Sequence, residues 1–349
     1  MSAHVTIALD GMGGDRAPDI VVGGAAEARA RYPHAHFLLF GDQARLEPLL
    51  GRFARLKERC EIRHTDEMVA GEEKPSVALR KGRRSSMRLA IDAVAASEAA
   101  GVVSAGNTGA LMAMAKIVLR MLPGIDRPAI ASFFPTAIGE CVVLDLGANI
   151  ECGSDNLVQF AVMGAHFAHT VLGRERPTVG LLNVGSEEVK GNDTVRAAAE
   201  ILRGAEGLPF DFHGFVEGDD VGKGTVDVVV TDGFTGNVAL KTAEGTAKLY
   251  SGFLAAAFRR SPISRLGYLL ARPALRALKD RVDPRHYNGG VFLGLNGIAV
   301  KSHGGTDATG FANAIGLAID MAADRLSEKI VEDFQKFRAT QSTGKVAIV

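Results

Sequence analysis

Nine short apolar runs, at residues 5–9, 36–40, 102–104, 129–134, 142–146, 178–183, 210–215, 226–231 and 298–302, alternate with longer stretches of helical period. The helical stretches include 44–59, 87–100, 157–172, 194–203 and 311–337. Near-continuous apolar strands separated by helices predict an α/β fold, with a mostly parallel sheet covered on both faces. No internal repeat and no Ser/Pro-rich linker divides the chain, so a single domain is expected over 1–338, followed by a polar tail at 339–349. One segment breaks the rhythm. Between Gly245 and Lys279 stand Lys248, Arg259, Arg260, Arg265, Arg272, Arg276 and Lys279, and no acidic residue. Leu249, Phe253, Leu254, Leu266, Leu269 and Leu270 are interleaved with them, and Ser261-Pro262 marks a break. This predicts a basic amphipathic helical hairpin inserted at about 240–285, suited to a second subunit, an anionic partner or a membrane surface.

Composition narrows the classes. Hydrophobic residues are 47% and charged residues 23% of the 349, which excludes a disordered or fibrous chain. Lys and Arg number 40 and so do Asp and Glu, so no global field draws nucleic acid and any steering must come from local patches. Cys60, Cys141 and Cys152 have no CxxC spacing, which suggests neither a zinc site nor a disulfide framework and fits a reducing cytosol. The first ten residues have no basic region followed by a long apolar core, so no signal peptide is expected. The uncharged stretches 99–115 and 156–173 carry Ser104, Asn107, Gln159, His166 and His169, and are expected to be buried elements rather than membrane spans. The 41 glycines, about 12% against an average near 7%, point to tight loops or close approach to a ligand.

Six glycine-containing polar stretches follow predicted strands: 10–15 (DGMGGD), 104–109 (SAGNTG), 145–149 (DLGAN), 183–192 (NVGSEEVKGN), 232–237 (DGFTGN) and 303–307 (HGGTD). In open α/β sheets ligands sit beyond the carboxyl ends of strands, so these loops are expected to converge on one site; the alternative is that their glycines only turn the chain. Loop 104–109 runs into a helix, where backbone amides favour an anion and Asn107 and Thr108 add donors. Arg16 spoils a GxGxxG reading of the first loop, and Gly222-Lys223-Gly224-Thr225 is not a Walker loop, so NAD and ATP are not supported. Phosphate or a phosphorylated ligand remains.

Lys190 can offer a point charge to phosphate, with Glu187 and Glu188 orienting it or binding a metal. Asn237 can donate to an oxyanion or cap a helix. Cys152 reads as a nucleophile or, more simply, a buried thiol. His303 reads as an acid/base or a loop-stabilising group.

The ordered set DGMGGD, KPSVALR, SSM, SAGNTGALMA, LDLGAN, LLNVGSEEVKGN, HGFVEG, VDVVVTDGFTGNVALK and HGGTDATGFANAI, with spacing kept from about residue 5 to 320, resembles the bacterial phosphate acyltransferase family, PlsX. The resemblance implies a three-layer α/β/α sandwich with a doubly wound sheet, similar to phosphotransacetylase and isocitrate-dehydrogenase-like folds and dimeric. It implies formation of acyl phosphate from acyl-acyl carrier protein (acyl-ACP) and inorganic phosphate, feeding phosphatidic acid and phospholipid synthesis, without cofactor or metal. The family's lysine and asparagine fall at Lys190 and Asn237. Binding of phosphate and substrate is expected from Asp10, Gly13, Gly14, Ser104, Gly106, Asn107, Thr108, Gly109, Asn149, Asn183, Gly236 and His303. Carrier-protein docking is expected at Arg83, Arg84 and Arg88, and membrane contact at Leu266, Leu269 and Leu270. The expected location is the cytoplasm, at the inner face of the membrane near a membrane glycerol-3-phosphate acyltransferase. Arg84 and Asp219 depart from the family pattern at positions relevant to docking. A phosphotransacetylase using acyl-CoA and a catalytically silent scaffold of lipid synthesis are the other readings.

Phosphate is already anionic at neutral pH, and a thiol of pKa around ~8.5 can leave as thiolate, so no Ser-His-Asp triad is required. Such a site needs cations, oxyanion donors and alignment.

Overall fold

The computed structural model describes residues 5–344 apart from 282, 284 and 286. Among these, the strands are β1 (Thr6–Asp10), β2 (His36–Gly41), β3 (Cys60–His64), β4 (Gly101–Ser104), β5 (Ala129–Pro135), β6 (Glu140–Leu144), β7 (Thr178–Leu182), β8 (Asp211–Val216), β9 (Val228–Val230), β10 (Gly290–Leu293) and β11 (Ile298–Lys301). The helices are α1 (Asp19–Arg31), α2 (Gln43–Leu50), α3 (Ala54–Lys57), α4 (Pro75–Lys81), α5 (Ser86–Ala95), α6 (Thr108–Leu119), α7 (Ser154–Leu172), α8 (Asp193–Arg203), α9 (Gly218–Lys223), α10 (Gly233–Arg259), α11 (Pro262–Arg281), α12 (Ala308–Ala323) and α13 (Leu326–Gly344).

All eleven strands share one sheet, ordered β3-β2-β1-β4-β11-β10-β5-β6-β9-β7-β8. Successive side chains alternate between its faces. Ile7, Leu9, Phe37 and Leu39 join an apolar cluster with buried residues of α1, α7 and α12. Ala8, Leu38 and Phe40 face the other way, with α5 and α6. Cys141, Val143 and Val229 pack with Val216 and the edge of α10. The sheet is thus covered on both faces, as the apolar runs predict. The uncharged stretch 156–173 is α7, buried from Leu157 to Ala168, and the other is β4 followed by α6. No helix among the described residues is long and apolar enough to cross a membrane.

The topology departs from a uniformly parallel sheet at its centre. β3, β2, β1, β4 and β11 run parallel, and so do β6, β9, β7 and β8. Between them β10 is antiparallel to β11 and β5, and β5 is antiparallel to β6. Three reversals leave the two parallel halves pointing in opposite directions. Two of the reversals are local, since a parallel pair needs a crossover of roughly a dozen residues or more and 136–139 and 294–297 allow only hairpins; the third, β10 against β5, joins strands remote in sequence.

Other boundaries also differ from the hydrophobic pattern. The expected helix 44–59 is α2 and α3, after which the chain enters edge strand β3. The expected helix 311–337 is α12 and α13, parted at Arg325, whose φ of 55° ends the helical path. α13 continues past Arg338 to Gly344, and the rest of the expected tail, 345–349, lies outside the described residues.

The basic segment forms a helical pair, α10 and α11, joined at Ser261. Phe258 and Tyr268 meet edge-on at 5.4 Å between them. In α10 only Gly233 and Gly236 are buried, while Tyr250, Phe253, Ile263, Leu269 and Leu270 stand exposed.

Candidate active site

Because the two halves of the sheet point oppositely, the six glycine loops do not converge on one edge. Those after β1, β4 and β11 lie on one edge, and those after β6, β9 and β7 on the opposite edge. This corrects the expectation of a single convergence point within the chain. Asp10, Gly13, Gly14, Ser104, Gly106, Asn107, Thr108, Gly109 and His303 belong to the first edge. Asn149, Asn183, Lys190, Gly236 and Asn237 belong to the second.

The first edge is organised around Asp10, which is 1% exposed at the end of β1. Its Oδ1 accepts from Ser86 Oγ and its Oδ2 from Ser104 Oγ, both at 2.6 Å. Burial raises the Asp10 pKa, against the pull of these hydrogen bonds. Ser104 Oγ in turn accepts from the Gly106 amide at 3.0 Å. A Cβ on Gly13 would stand 2.3 Å from Asp10 Oδ2 and 2.8 Å from the Gly106 nitrogen, so only glycine lets the first loop close on the second. Asp10 and Ser104 therefore hold the loops from beneath.

Asn107 is also structurally committed. Its Oδ1 caps α6 by accepting from the Ala110 amide at 2.9 Å. Its Nδ2 donates to the Gly71 and Glu73 carbonyls at 2.8 and 2.9 Å, drawing the 71–73 segment over the loop. Thr108 is exposed at the start of the helix. His303 Nδ1 accepts from the Gly305 amide at 3.1 Å, so a neutral ring carries its proton on Nε2. Its loop-stabilising role is thus met, and the ring stays exposed.

Sequence reasoning missed Lys301, the last residue of β11. Its Nζ donates to the Ala105 carbonyl at 3.2 Å and to the Ser302 carbonyl. Burial pushes its pKa down to about 8, although Asp10 and Asp15 pull the other way. The available signal was a lysine ending the otherwise apolar run Ile298-Ala299-Val300.

On the second edge Asp145, fully buried, plays the part of Asp10. Its Oδ1 accepts from the Ile130, Gly147 and Ala148 amides, and its Oδ2 from the Asn149 amide and side chain, at 2.7–3.2 Å. Burial raises its pKa while these donors oppose the rise. Asn149 Nδ2 also donates to the Pro128 carbonyl at 2.7 Å, and its own carbonyl accepts from the Gly233 amide at 2.7 Å. That bond seats the start of α10 on the 145–149 loop. Asp232, not Asn237, caps α10, accepting from the Thr235 amide at 2.8 Å. Asn237 lies just past the first turn of α10, exposed, with its side chain against Gly147. Capping therefore does not account for it.

The loop after β7 is folded by Asn183. Its Nδ2 donates to the Lys190 carbonyl at 3.2 Å, and its Oδ1 accepts from the Val184 amide at 2.9 Å. Gly191 has φ of 90°, and a Cβ there would stand 2.2 Å from Asn183 Oδ1. Asn192 then caps α8 through the Val195 amide. This buckle leaves the Lys190 side chain exposed beside Gly185, next to Glu187, while Glu188 pairs with Arg203 at 3.5 Å. Since β9 and β7 are neighbours, Lys190, in the loop after β7, and Asn237, near the start of the helix after β9, follow adjacent strands.

Burial raises the Cys152 pKa to about 11, and those of Cys60 and Cys141 to about 12, so none is poised as a thiolate near neutrality. Arg83 and Arg84 are exposed between α4 and α5, next to Ser86, which reaches Asp10, so they border the first edge. Arg84 stands 3.7 Å from Glu67, and Arg88 pairs with Asp92 at 2.8 Å.

The family model described as "Fatty acid synthesis protein" matches residues 5–329. The phosphate acyltransferase of Paramagnetospirillum magneticum is 61% identical over 341 residues, covering 98% of this chain and 97% of the relative. That of Rhodospirillum centenum is 63% identical over 339 residues, covering 97% and 95%. Among solved structures, EutD phosphotransacetylase from Staphylococcus aureus superposes with a TM-score of 0.61 at 20% identity, covering 92% of this chain and 94% of that one. A phosphotransacetylase from Streptococcus pyogenes gives 0.64 at 18%, covering 91% and 94%. At these identities the likeness concerns the fold, here the α/β architecture with its mostly parallel sheet.

Proposed function

This chain belongs to the fatty acid synthesis protein family, whose relatives above are phosphate acyltransferases, and from that membership we propose that it converts acyl-ACP and inorganic phosphate to acyl phosphate and free carrier protein. A phosphate oxygen attacks the thioester carbonyl, the carbon–sulfur bond breaks, and the carrier's thiol leaves as thiolate. Both phosphate and the tetrahedral intermediate are anionic, so the chemistry needs fixed positive charge and oxyanion donors more than a strong base. The observation that carries this reading is the placement of an exposed Lys190 in the loop after β7 and an exposed Asn237 near the start of the helix after the adjacent strand β9, in segments held in shape by Asn183, Asn192 and Asp232. Lys190 supplies charge, and Asn237 supplies a donor to the developing oxyanion. The loop amides and the Thr108 hydroxyl of the first edge supply phosphate contacts from a second copy of the chain, whose first edge meets the Lys190–Asn237 edge in a homodimer.

The product feeds phospholipid synthesis through a membrane acyltransferase acting on glycerol 3-phosphate. The acidic carrier protein docks on Arg83, Arg84 and Arg88, where steering relies on a local patch because the net charge is zero. Charge reversal at Arg83 and Arg84 is expected to raise the KM for acyl-ACP at low salt. Turnover of acyl-CoA should stay unaffected, and salt should shrink the difference. An unchanged KM at low salt contradicts this docking site, and preference for acyl-CoA over acyl-ACP favours a phosphotransacetylase instead.

Leu266, Leu269 and Leu270 of α11, all more than half exposed, fit contact with a membrane surface from the cytoplasmic side. Replacing them with Ser should weaken flotation with anionic vesicles while leaving turnover in solution largely intact. Wild-type flotation by a folded variant of unchanged oligomeric state contradicts the membrane role.

A further inference from the structure

We propose that Lys301 is the positioning cation of the first edge, a single ammonium that ties two loops together and offsets two carboxylates so that phosphate is admitted between them. The inference rests on the acyltransferase reading above and names a residue to which that reading gives no role.

The geometry begins with the end of β11. Its neighbour β4 ends beside it, with Lys301 paired to Ser104. The Lys301 ammonium joins the carbonyl of Ala105, in the loop after β4, to the carbonyl of Ser302, which opens the loop after β11. A third loop is attached independently, since the Asp15 amide donates to the Gly304 carbonyl at 3.0 Å. Lys301 therefore sits where the loops after β1, β4 and β11 meet.

Its charge has an equally specific setting. Asp10 beneath the loops and Asp15 beside them are the charged groups that act on it. Ser104 and Ala105 on the β4 side and Asn288 on the β10 side carry no charge, and His303 directs Nδ1 to the Gly305 amide. Without the ammonium, the carboxylates of Asp10 and Asp15 at the meeting of the loops are left unbalanced against an incoming phosphate. With it, one cation faces them, and loop amides and hydroxyls can do the rest. Partial burial strengthens this effect and also places the loss of the proton near the physiological range, at about 8. Below that value the ammonium predominates; above it the neutral amine does. Phosphate binding is therefore expected to weaken as pH rises through about 8.

The test measures binding of inorganic phosphate by calorimetry alongside steady-state turnover of acyl-ACP, for wild type, Lys301→Met and Lys301→Arg, from neutral to alkaline pH. Wild type should lose phosphate affinity on the alkaline side. Lys301→Met should show a phosphate KM raised about tenfold at neutral pH, the equivalent of one charge-assisted hydrogen bond, with the alkaline loss abolished. Lys301→Arg should keep the charge at all these pH values, hold a low phosphate KM and also lack the alkaline loss. The KM for acyl-ACP should move little in either variant. A folded Lys301→Met protein with wild-type phosphate affinity and the same alkaline loss overturns the proposal. If Lys301→Met does not fold, Lys301→Arg decides: retention of the wild-type alkaline loss overturns the proposal, and its disappearance supports it. Lys301-dependent phosphate binding without acyl phosphate formation supports the role of Lys301 and overturns the acyltransferase reading.

Discussion

Lys190→Ala is expected to lower turnover by ~10²–10³ while leaving the thermal midpoint close to that of wild type. The rate estimate is the usual cost of removing one preorganised electrostatic group from an anionic transition state. The stability estimate follows from the loop's construction. Only the Lys190 backbone takes part in it, its amide donating to the Glu187 carbonyl at 3.0 Å and its carbonyl accepting from Asn183. The exposed side chain carries no core packing, so truncation to alanine removes the charge and spares the fold. Lys190→Arg, with charge kept but shape changed, should fall between the two. Phosphate-dependent turnover near wild type in a folded Lys190→Ala protein removes Lys190 from the site.

Gly236→Ala is expected to have the largest effect on stability of any conservative change near the site. The added Cβ would lie 1.9 Å from the Asp145 carbonyl oxygen, and this neighbour is backbone in a loop pinned by five hydrogen bonds to the Asp145 carboxylate. No side-chain rotation can relieve such a contact. Overpacking ordinarily costs ~1–3 kcal/mol, and here the upper end of that range or beyond is expected, with displacement of Asn237 and loss of turnover. Gly245→Ala in the same helix is the counter-test. Nothing lies within 4 Å of its Cβ, so it should stabilise by about 0.5–1 kcal/mol through helix propensity alone. Urea midpoints of the two variants should move in opposite directions. A Gly236→Ala protein as stable as wild type contradicts the packing of α10 on the 145–149 loop.

Most strands buried on both faces were legible because burial imposes unbroken apolar runs, as at Val228–Val230 and around Ile7; β10, equally buried, was not read because its apolar run is only Val291–Leu293 between glycines. β3 was not, because Cys60, Glu61, Ile62, Arg63 and His64 form an edge strand with little apolar character, and the segment after the expected helix 44–59 carries no strand signal. The reversal at the centre of the sheet is invisible to hydrophobic pattern, since parallel and antiparallel core strands share it. Connection length did contain the information: the runs at 129–134 and 142–146 are too close for a parallel crossover. Missing that constraint is what placed six loops on one edge.

Glycines located the loops correctly but could not say which polar neighbours serve a ligand. Asn107 and Asn237 look alike in sequence, each near a helix start. One is a cap with its side-chain amide fully engaged, and the other is exposed just past a turn already capped by Asp232. Lys301 escaped notice because its importance comes from the carbonyls of Ala105 and Ser302 brought around it, the first of which is remote in sequence.

The most direct test of the account is the reaction itself. Purified protein is mixed with long-chain acyl-ACP and inorganic phosphate, and released carrier thiol is measured together with acyl hydroxamate trapped by hydroxylamine. The expected result is thiol release that requires phosphate and is matched by an equal yield of hydroxamate. Thiol release independent of phosphate, or no release by folded protein, would contradict a phosphate acyltransferase and leave a thioesterase or a silent scaffold in its place.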